Sequence, residues 1–415
     1  MKKSSIFPSL LMFLAILSGM GARATDLVVA AGGAGGAYAS LNAAIAAASA
    51  GDRIIVYPQS NGAAYSETAI TLTKSLQILS ANEGAFYSID APSITIAPTT
   101  AGSTITIIGM RLLTGNIVSS IAAPTGARCN VNILNDSLVQ GGLNINHDNY
   151  NLTAAANFLN AGLQFRFGKV IGNYMNWALT CNTDASVNNP NDTVMIIGNR
   201  VHFNTSLNAG GIQWNSTGHF FAIQNNFVRL DFPGYYVNYG IYVITAKNSS
   251  SGVNSIINNT VLKQTYSVLY GISVATPAIA TTEVLNNIVH APIYWGGLAV
   301  GAGNYSVHYN YVNNASYSGF TNDGTNLALL NTTINSATGA ITTPLSNCIN
   351  GGTVDSAYAD IDLTRNDAGC YGGSYTLDNF FPITANDWAR VILVTAPRRV
   401  LVNGTINVKA IGFDK

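Results

Sequence analysis

Apolar and polar residues alternate along this chain in short runs, and the runs keep closing on one phrase: one or two apolar residues, an Asn, then alternation again. The phrase reads Val170-Ile171-Gly172-Asn173-Tyr174-Met175, then Ile196-Ile197-Gly198-Asn199-Arg200-Val201, then Ile223-Gln224-Asn225-Asn226-Phe227-Val228. It returns at Ile257-Asn258-Asn259-Thr260-Val261 and Leu285-Asn286-Asn287-Ile288-Val289, with weaker copies at Leu134-Asn135-Asp136, Ala156-Asn157-Phe158 and Tyr309-Asn310-Tyr311. The clear Asn positions 173, 199, 226, 259, 287 and 310 lie 23 to 33 residues apart, a period that marks stacked repeats. Runs rich in Val, Ile, Phe and Tyr on either side of each Asn predict strand, sharp turn, strand.

Asn suits such a turn because it tolerates the left-handed backbone region, and stacked amides can hydrogen-bond from one turn to the next. The resulting expectation is an all-β solenoid, a parallel β-helix with one coil per repeat. An antiparallel sandwich with Asn-rich turns is the alternative, but a sandwich has no reason to keep one phrase at one spacing. If Asn marks the corner, the second and fourth residues after it point inward: Met175 and Trp177, Val201 and Phe203, Val228 and Leu230, Val289 and Ala291. The first and third then point outward. That places Tyr174, Arg200, Phe227, Thr260, Ile288 and Tyr311 in one column, and Asn176, His202, Arg229, Leu262, His290 and Asn313 in the other.

The pattern changes at both ends. Before the coils, Leu41, Ala44, Ile45 and Ala48 form one helical face within residues 40–50, with Ser40 as cap and Gly51 as stop. An amphipathic helix there would close the open end of a solenoid. Strand, Gly32-Gly33-Ala34-Gly35-Gly36 and helix superficially suggest a dinucleotide site, but the spacing fails that fingerprint. The coils begin with Gly51-Asp52-Arg53-Ile54-Ile55-Val56-Tyr57-Pro58, then Tyr65-Ser66-Glu67, Ile70-Thr71-Leu72-Thr73-Lys74 and Leu76-Gln77-Ile78-Leu79. This opening resembles that of secreted right-handed β-helix proteins of the pectate lyase and pectin methylesterase superfamily, departing from it at Gln59, where their pattern has Gly. The resemblance implies a right-handed coil over residues 25–380 and a carbohydrate role; it is weak for activity, because the fold carries many chemistries.

After Thr332 the phrase fades. Asp360-Ile361-Asp362-Leu363-Thr364-Arg365-Asn366-Asp367-Ala368-Gly369-Cys370-Tyr371-Gly372-Gly373 is dense in turn formers and resembles a closing segment found after β-helices in exported bacterial proteins. A turn network closing the last coil is expected, with Arg365 paired to nearby acids. We divide the chain into a leader (1–24), a β-helix (25–345), an irregular closing segment (346–385) and a C-terminal β-hairpin (386–415). The hairpin either packs along the solenoid or opens a sandwich domain that the chain does not complete.

Composition changes the picture in three ways. Only 9% of residues are charged and the formal net charge is zero, so the basic footprint of a nucleic-acid binder is absent. Lys2 and Lys3, the apolar Ile6–Leu17 and Ala22-Arg23-Ala24 fit a secretory leader cleaved after Ala24, which predicts a secreted or cell-surface location, and no later segment reads as membrane-spanning. Without that leader, 16 basic residues face 19 acidic ones. An exported chain permits disulfides among Cys129, Cys181, Cys348 and Cys370; three pairings are possible, and Cys348–Cys370 would pin the closing segment, against four buried thiols as the plain alternative.

In a chain so poor in charge, the convergence of Arg200, His202, Arg229 and Asp231 on one outer face is the sharpest chemical signal. Arg pairs bidentately with carboxylates and His titrates near neutrality, so the set could hold a uronate and let Arg200, His202 or Arg229 act as base in a β-elimination. A solvated face with one ion pair is the plain reading. Asp231 would assist binding; Tyr235, Tyr236 and Tyr239, in the longest insertion, could stack on sugar rings or pack on the wall, as could Trp214 and His219, and His290 extends the column. Searches for other chemistry give little. Asp148, Asp184, Asp192 and Asp231 are scattered rather than gathered for calcium, no acid pair suits glycoside hydrolysis, and the histidines lack zinc spacing, so no metal or other cofactor is assigned; Ca2+ stays possible but unsupported. Two functions follow. The first is an exported, monomeric protein that binds an acidic polysaccharide or cell-surface glycan, with cleavage by β-elimination as its expected chemistry if it is an enzyme. The second is a non-catalytic surface or matrix protein that uses the solenoid as spacer or adhesive face.

Overall fold

A computed structural model describes residues 24–82, 84–185, 192–204, 210–231, 239–263, 268–291, 293–383, 390–396 and 405–413. The chain is a right-handed parallel β-helix whose walls are three parallel sheets of 12, 12 and 11 strands. Each coil supplies one strand to each wall. In the coil around Asn173 these are Gly168–Ile171 (sheet 1), Tyr174–Met175 (sheet 2) and Leu179–Asn182 (sheet 3). The interior is packed mainly by aliphatic side chains. Ile54, Ile78, Ile107, Ile133, Ala154, Val170, Ile196, Ile223, Ile256, Val284 and Val307 form one unbroken stack, each in register with the next. Such a stack is what β-branched residues at a two-residue period give when identical faces lie ~4.8 Å apart.

The recurrent amides form a continuous ladder. From Asn157 through Asn173, Asn199, Asn226, Asn259, Asn287 and Asn310 to Asn326, each backbone N–H and each side-chain Nδ2 donates to the Oδ1 of the next rung at 2.8 to 3.1 Å. The second Nδ2 hydrogen reaches a carbonyl of the preceding coil, Ala154 for Asn173 and Val170 for Asn199. All eight amides are buried, which is tolerable only because the donors and acceptors are matched.

The corner differs from the one expected from the Asn phrase. The left-handed residue is not the ladder Asn but the one before it: Asn135, Ala156, Gly172, Gly198, Asn225, Asn258, Asn286 and Tyr309, with φ between 53° and 65°. That residue turns the corner, and the ladder Asn is retained for its inward amide. The weaker copy at 134–136 accordingly uses Asp136, not Asn135, as its rung.

The ends are closed as the first coil's residues dictate. Helix α1 (Leu41–Ala47) buries Leu41, Ala44 and Ile45. Ser40 Oγ accepts from the Ala43 N–H at 3.2 Å, and the Glu67 carboxylate accepts from the N–H groups of Leu41 and Asn42. Asp52 accepts from the N–H groups of Thr25 and Ser49, and Arg53 grips Asp26 with two bonds of 2.7 and 2.6 Å. The "GDR" and "Y.E" features of the opening are therefore end-capping devices. At the far end Tyr305, Tyr317 and Phe320 meet edge to face over the last coil, with Tyr317 Oη donating to Asn310 O.

Residues 329–383 form a strap that turns back along the outside. Its Ile334, Cys348, Ala368, Cys370 and Leu377 cover Phe227, Leu262, Ile288 and Tyr311 on sheet 2. The outward side chains expected there do face out, but they are buried beneath the strap. Arg365 donates to the carbonyls of Gly352 and Gly351 rather than to an acid, which corrects its expected pairing. All four cysteines are free and buried, so the expected Cys348–Cys370 bond is absent. The antiparallel hairpin Arg390–Thr395 with Lys409–Phe413 packs along the solenoid, placing Ile392, Leu393 and Ile411 against the outward column Leu79, Ile108, Leu134, Ala155, Ile171 and Ile197 of sheet 1.

Candidate functional site

Strands Arg200–Phe203 and Phe227–Leu230 lie side by side in sheet 2, pairing Arg200 with Phe227 and His202 with Arg229. Side chains two residues apart share a face, so Arg200, His202 and Arg229 face the same side of sheet 2, and His202 and Arg229 meet at Asp231. Asp231 is the hub. Its carboxylate accepts from Arg229 Nε at 2.8 Å and Nη2 at 2.5 Å, and lies 2.5 Å from His202 Nε2. Arg229 Nη1 also donates to Ser336 O in the strap. His202 and Arg229 are thus both engaged, half-buried and partly roofed.

Arg200 stands apart from this knot. Its guanidinium lies over the Phe381 ring at 4.0 Å, and its buried Nε has no hydrogen-bond partner. It lines two cavities, one of about 220 Å3 with Tyr174, His202, Arg229 and Ser336, and one of about 590 Å3 between sheet 2 and the strap. Toward the N-terminus the same column continues as Tyr174 and Phe158, whose rings stack at 5.1 Å and 2°.

The remaining candidates scatter. Trp214 is fully buried inside the coil against Phe221, its indole N–H donating to Ser216 O, so it cannot stack on a ligand. His219 is equally buried, and burial with the nearby Arg128 pushes its pKa down to about 4, keeping it neutral. His290 is separated from Arg229 by Leu262 in the register, and burial lowers its pKa. Tyr235 and Tyr236 lie outside the described residues. Tyr239 sits on sheet 3, stacked on Tyr242 at 3.9 Å.

Sheet 3 carries a surface that periodicity did not reveal. Its outward column runs Val118, Asn144, Gln164, Thr180, Gln213 and Tyr242, each in register with the next. Val118 to Gln213 of this column line a groove of about 520 Å3 whose rim is Trp177. Trp177, expected inside, is 42% exposed, because its strand ends at Met175 and the chain has already begun to turn. The groove's lining has no charged side chain. Gly142 and Gly162 let adjacent coils approach closely here: a Cβ on Gly162 would collide with the Ala178 carbonyl oxygen and lie 3.2 Å from the Trp177 ring.

Among the described residues no group of three or more His, Cys, Asp or Glu side chains is placed to hold a metal ion, and no helix is long and apolar enough to cross a membrane. Comparison with known proteins found no matching family model, curated protein or solved structure.

Proposed function

We propose that this is an exported carbohydrate-binding solenoid that holds a glycan along the groove of sheet 3 and does not cleave it. The observation that carries the reading is the column of amides and hydroxyls, Asn144, Gln164, Thr180 and Gln213, beside an exposed indole at Trp177. Sugar recognition needs this combination, since an aromatic face takes the apolar side of a pyranose and amides both donate to and accept from its hydroxyls. Strand spacing repeats the amides along the axis, which suits a polymer. The uncharged lining favours a neutral glycan over a uronate there. Elimination is disfavoured because His202 and Arg229 are both engaged by Asp231.

Support for a place in the pectate lyase-like superfamily comes from the opening motif and the coil. Support for export comes from the leader pattern of residues 1–24. The test is retardation in native gels cast with neutral polysaccharides. Trp177→Ala and Gln164→Ala should each restore free mobility; unchanged mobility of the parent protein in every polysaccharide, or unchanged retardation of Trp177→Ala, would refute the groove.

A further inference from the structure

We infer that the strap is a pH-gated cover, closed over sheet 2 in acid and loosened above neutrality by repulsion among the carboxylates of its closing segment. The device is independent of the groove on sheet 3.

The closing segment is tied together by one side chain. Asp360 accepts from the N–H of Gly373 at 2.5 Å and from the N–H of Asp367 at 3.0 Å, so its carboxylate joins both arms of the turn. Asp367 in turn accepts from the N–H of Asn350 at 2.6 Å. Two half-buried carboxylates are thus neighbours, with the exposed Asp362 close by. Glu283 of sheet 1, also half-buried, faces Tyr358 of the strap, beside which Asp355 adds a further negative charge. Among the described residues none of Glu283, Asp360 and Asp367 forms an ion pair. Arg365, a cation within the segment, turns instead to the carbonyls of Gly351 and Gly352 and lies over the Tyr309 ring. The bonds that fasten the segment to the coils are neutral. Gly369 N–H donates to Asn286 O at 2.8 Å, Cys370 N–H to Thr260 Oγ1 at 2.9 Å and Asn258 Nδ2 to Asn366 Oδ1 at 3.0 Å. Charge on the acids therefore opposes closure and no cation in the segment offsets it.

Burial, reinforced by Asp367 and Asp362, outweighs the two N–H bonds and pushes the Asp360 pKa up to about 6. Burial also raises Asp367 and Glu283. With folded values above the unfolded ones, the stabilisation is complete below about pH 4 and is lost as pH rises through the folded values. The other titratable groups under the segment do not supply this response. Burial raises the hydroxyls of Tyr311 and Tyr371 and the thiols of Cys348 and Cys370, which stay neutral throughout. It lowers His290, whose protonation in acid would oppose closure. Across the cavity Asp367 shares the lining with Arg200 and Asp378, one charge of each sign. Loosening uncovers the apolar column Phe227, Leu262, Ile288 and Tyr311.

The experiment is hydrogen exchange of the full chain near pH 5 and near pH 7.5 with a chelator present, each amide corrected for its intrinsic rate. Asp360 alone should raise the opening constant of residues 366–373 by roughly tenfold between the two, and Asp367 and Glu283 should add to the rise. Asp360→Asn should cut the rise to below about threefold. The readout is the ratio between pH values, so a general weakening of the strap does not mimic the effect. Asp367→Asn keeps the Asp360 tie and should give an intermediate rise; His290→Gln should keep the rise or enlarge it. The inference is overturned if the parent shows no rise or a fall, or if Asp360→Asn and Asp367→Asn both keep the parent's rise. It is also overturned if calcium chloride, added without chelator near pH 7.5, restores the protection seen in acid, since the acids would then be a cation site.

Discussion

Two stretches of the same corner differ by one residue type. At coils 172–173 and 198–199 the corner reads Gly-Asn; at 225–226, 258–259 and 286–287 it reads Asn-Asn. The second residue is a ladder rung in both, with the same bonds. The first is left-handed in both, with φ from 53° to 65°. What differs is the exterior. Over Gly172 and Gly198 lies the ring of Phe380, and a Cβ on Gly172 would meet it at 3.0 Å. Over the Asn-Asn corners lies the polar strap: Asn225 Nδ2 donates to Gly372 O at 2.6 Å, Asn258 Nδ2 to Asn366 Oδ1 at 3.0 Å and Asp367 O at 2.8 Å, and Asn286 Oδ1 accepts from Thr353 N at 2.8 Å. Backbone geometry admits either Gly or Asn at such a site; the covering layer decides between them. One corner position therefore records the inside of the solenoid and its neighbour records the outside.

The strongest way to break this comparison is to remove a rung that both corner types share. Asn226→Leu would leave the Asn199 N–H without its acceptor and remove one hydrogen bond each from Asn199 Nδ2, the Ile196 carbonyl and Asn259 Oδ1. With about 1–3 kcal/mol for the group left unsatisfied and about 1 kcal/mol for each further bond lost, a loss on the order of 4 kcal/mol is expected in denaturant titration. A loss below ~1 kcal/mol would mean the ladder is ornamental. Next comes Gly198→Ala, where the new methyl overlaps the Phe380 ring and the backbone stays left-handed. A cost of about 3 kcal/mol is expected, falling to about 1 kcal/mol when Phe380→Ala is the background. Additive costs would show that Phe380 is not what demands Gly.

Asn258→Ala sharpens the other half of the comparison. It removes three strap contacts, to Asn366, Asp367 and Gly369, while leaving the Asn259 rung intact. About 2 kcal/mol of local stability should disappear. Hydrogen exchange reads it directly: amides of residues 366–373 should exchange faster while those of sheet 1 stay protected. Uniform loss of protection would instead mean that the strap and the coils unfold as one unit.

The same contrast explains what could be read from the sequence. Sheets 1 and 2 meet at a corner of fixed length, so the Asn phrase carries strand register across it; Met175, Val201, Phe203, Val228, Leu230, Val289 and Ala291 are all buried as expected. Register fails beyond sheet 2, where the connection to sheet 3 varies from two residues after His290 to eight after Leu230. Trp177 was misplaced for that reason, and the column from Asn144 to Tyr242 stayed hidden. The strap has no periodicity, so nothing announced that Leu262, Ile288 and Tyr311 would be covered, or that Cys348 and Cys370 would be buried as separate thiols. Convergence of His202, Arg229 and Asp231 was legible because they sit on the fixed-length side. Their mutual hydrogen bonding was not, since side-chain pairing depends on rotamers and on Ser336, more than a hundred residues downstream.

The smallest predicted effect lies at the ladder's first rung, where an acid stands in an amide's place. Asp136 accepts from Met110 N with Oδ1 at 2.6 Å and donates its own N–H to Asn157 Oδ1 at 2.8 Å, but its buried Oδ2 has no partner. In every later rung the corresponding atom is Nδ2, donating to a carbonyl of the coil before. A protonated Oδ2–H can make that donation and a carboxylate cannot. Burial pushes the Asp136 pKa well above its ordinary value, so the fold favours the neutral acid over the carboxylate. Because the folded pKa exceeds the unfolded one, Asp136 contributes fully below about pH 4 and loses that contribution as pH rises through the folded value. Asp136→Asn supplies the donor at every pH. Its thermal midpoint should match the parent's near pH 4 and exceed it near pH 8, by an amount equivalent to about 1 kcal/mol. An equal difference at both pH values would show that Asp136 does not titrate with folding, and that an acid serves at the ladder's end as well as an amide does.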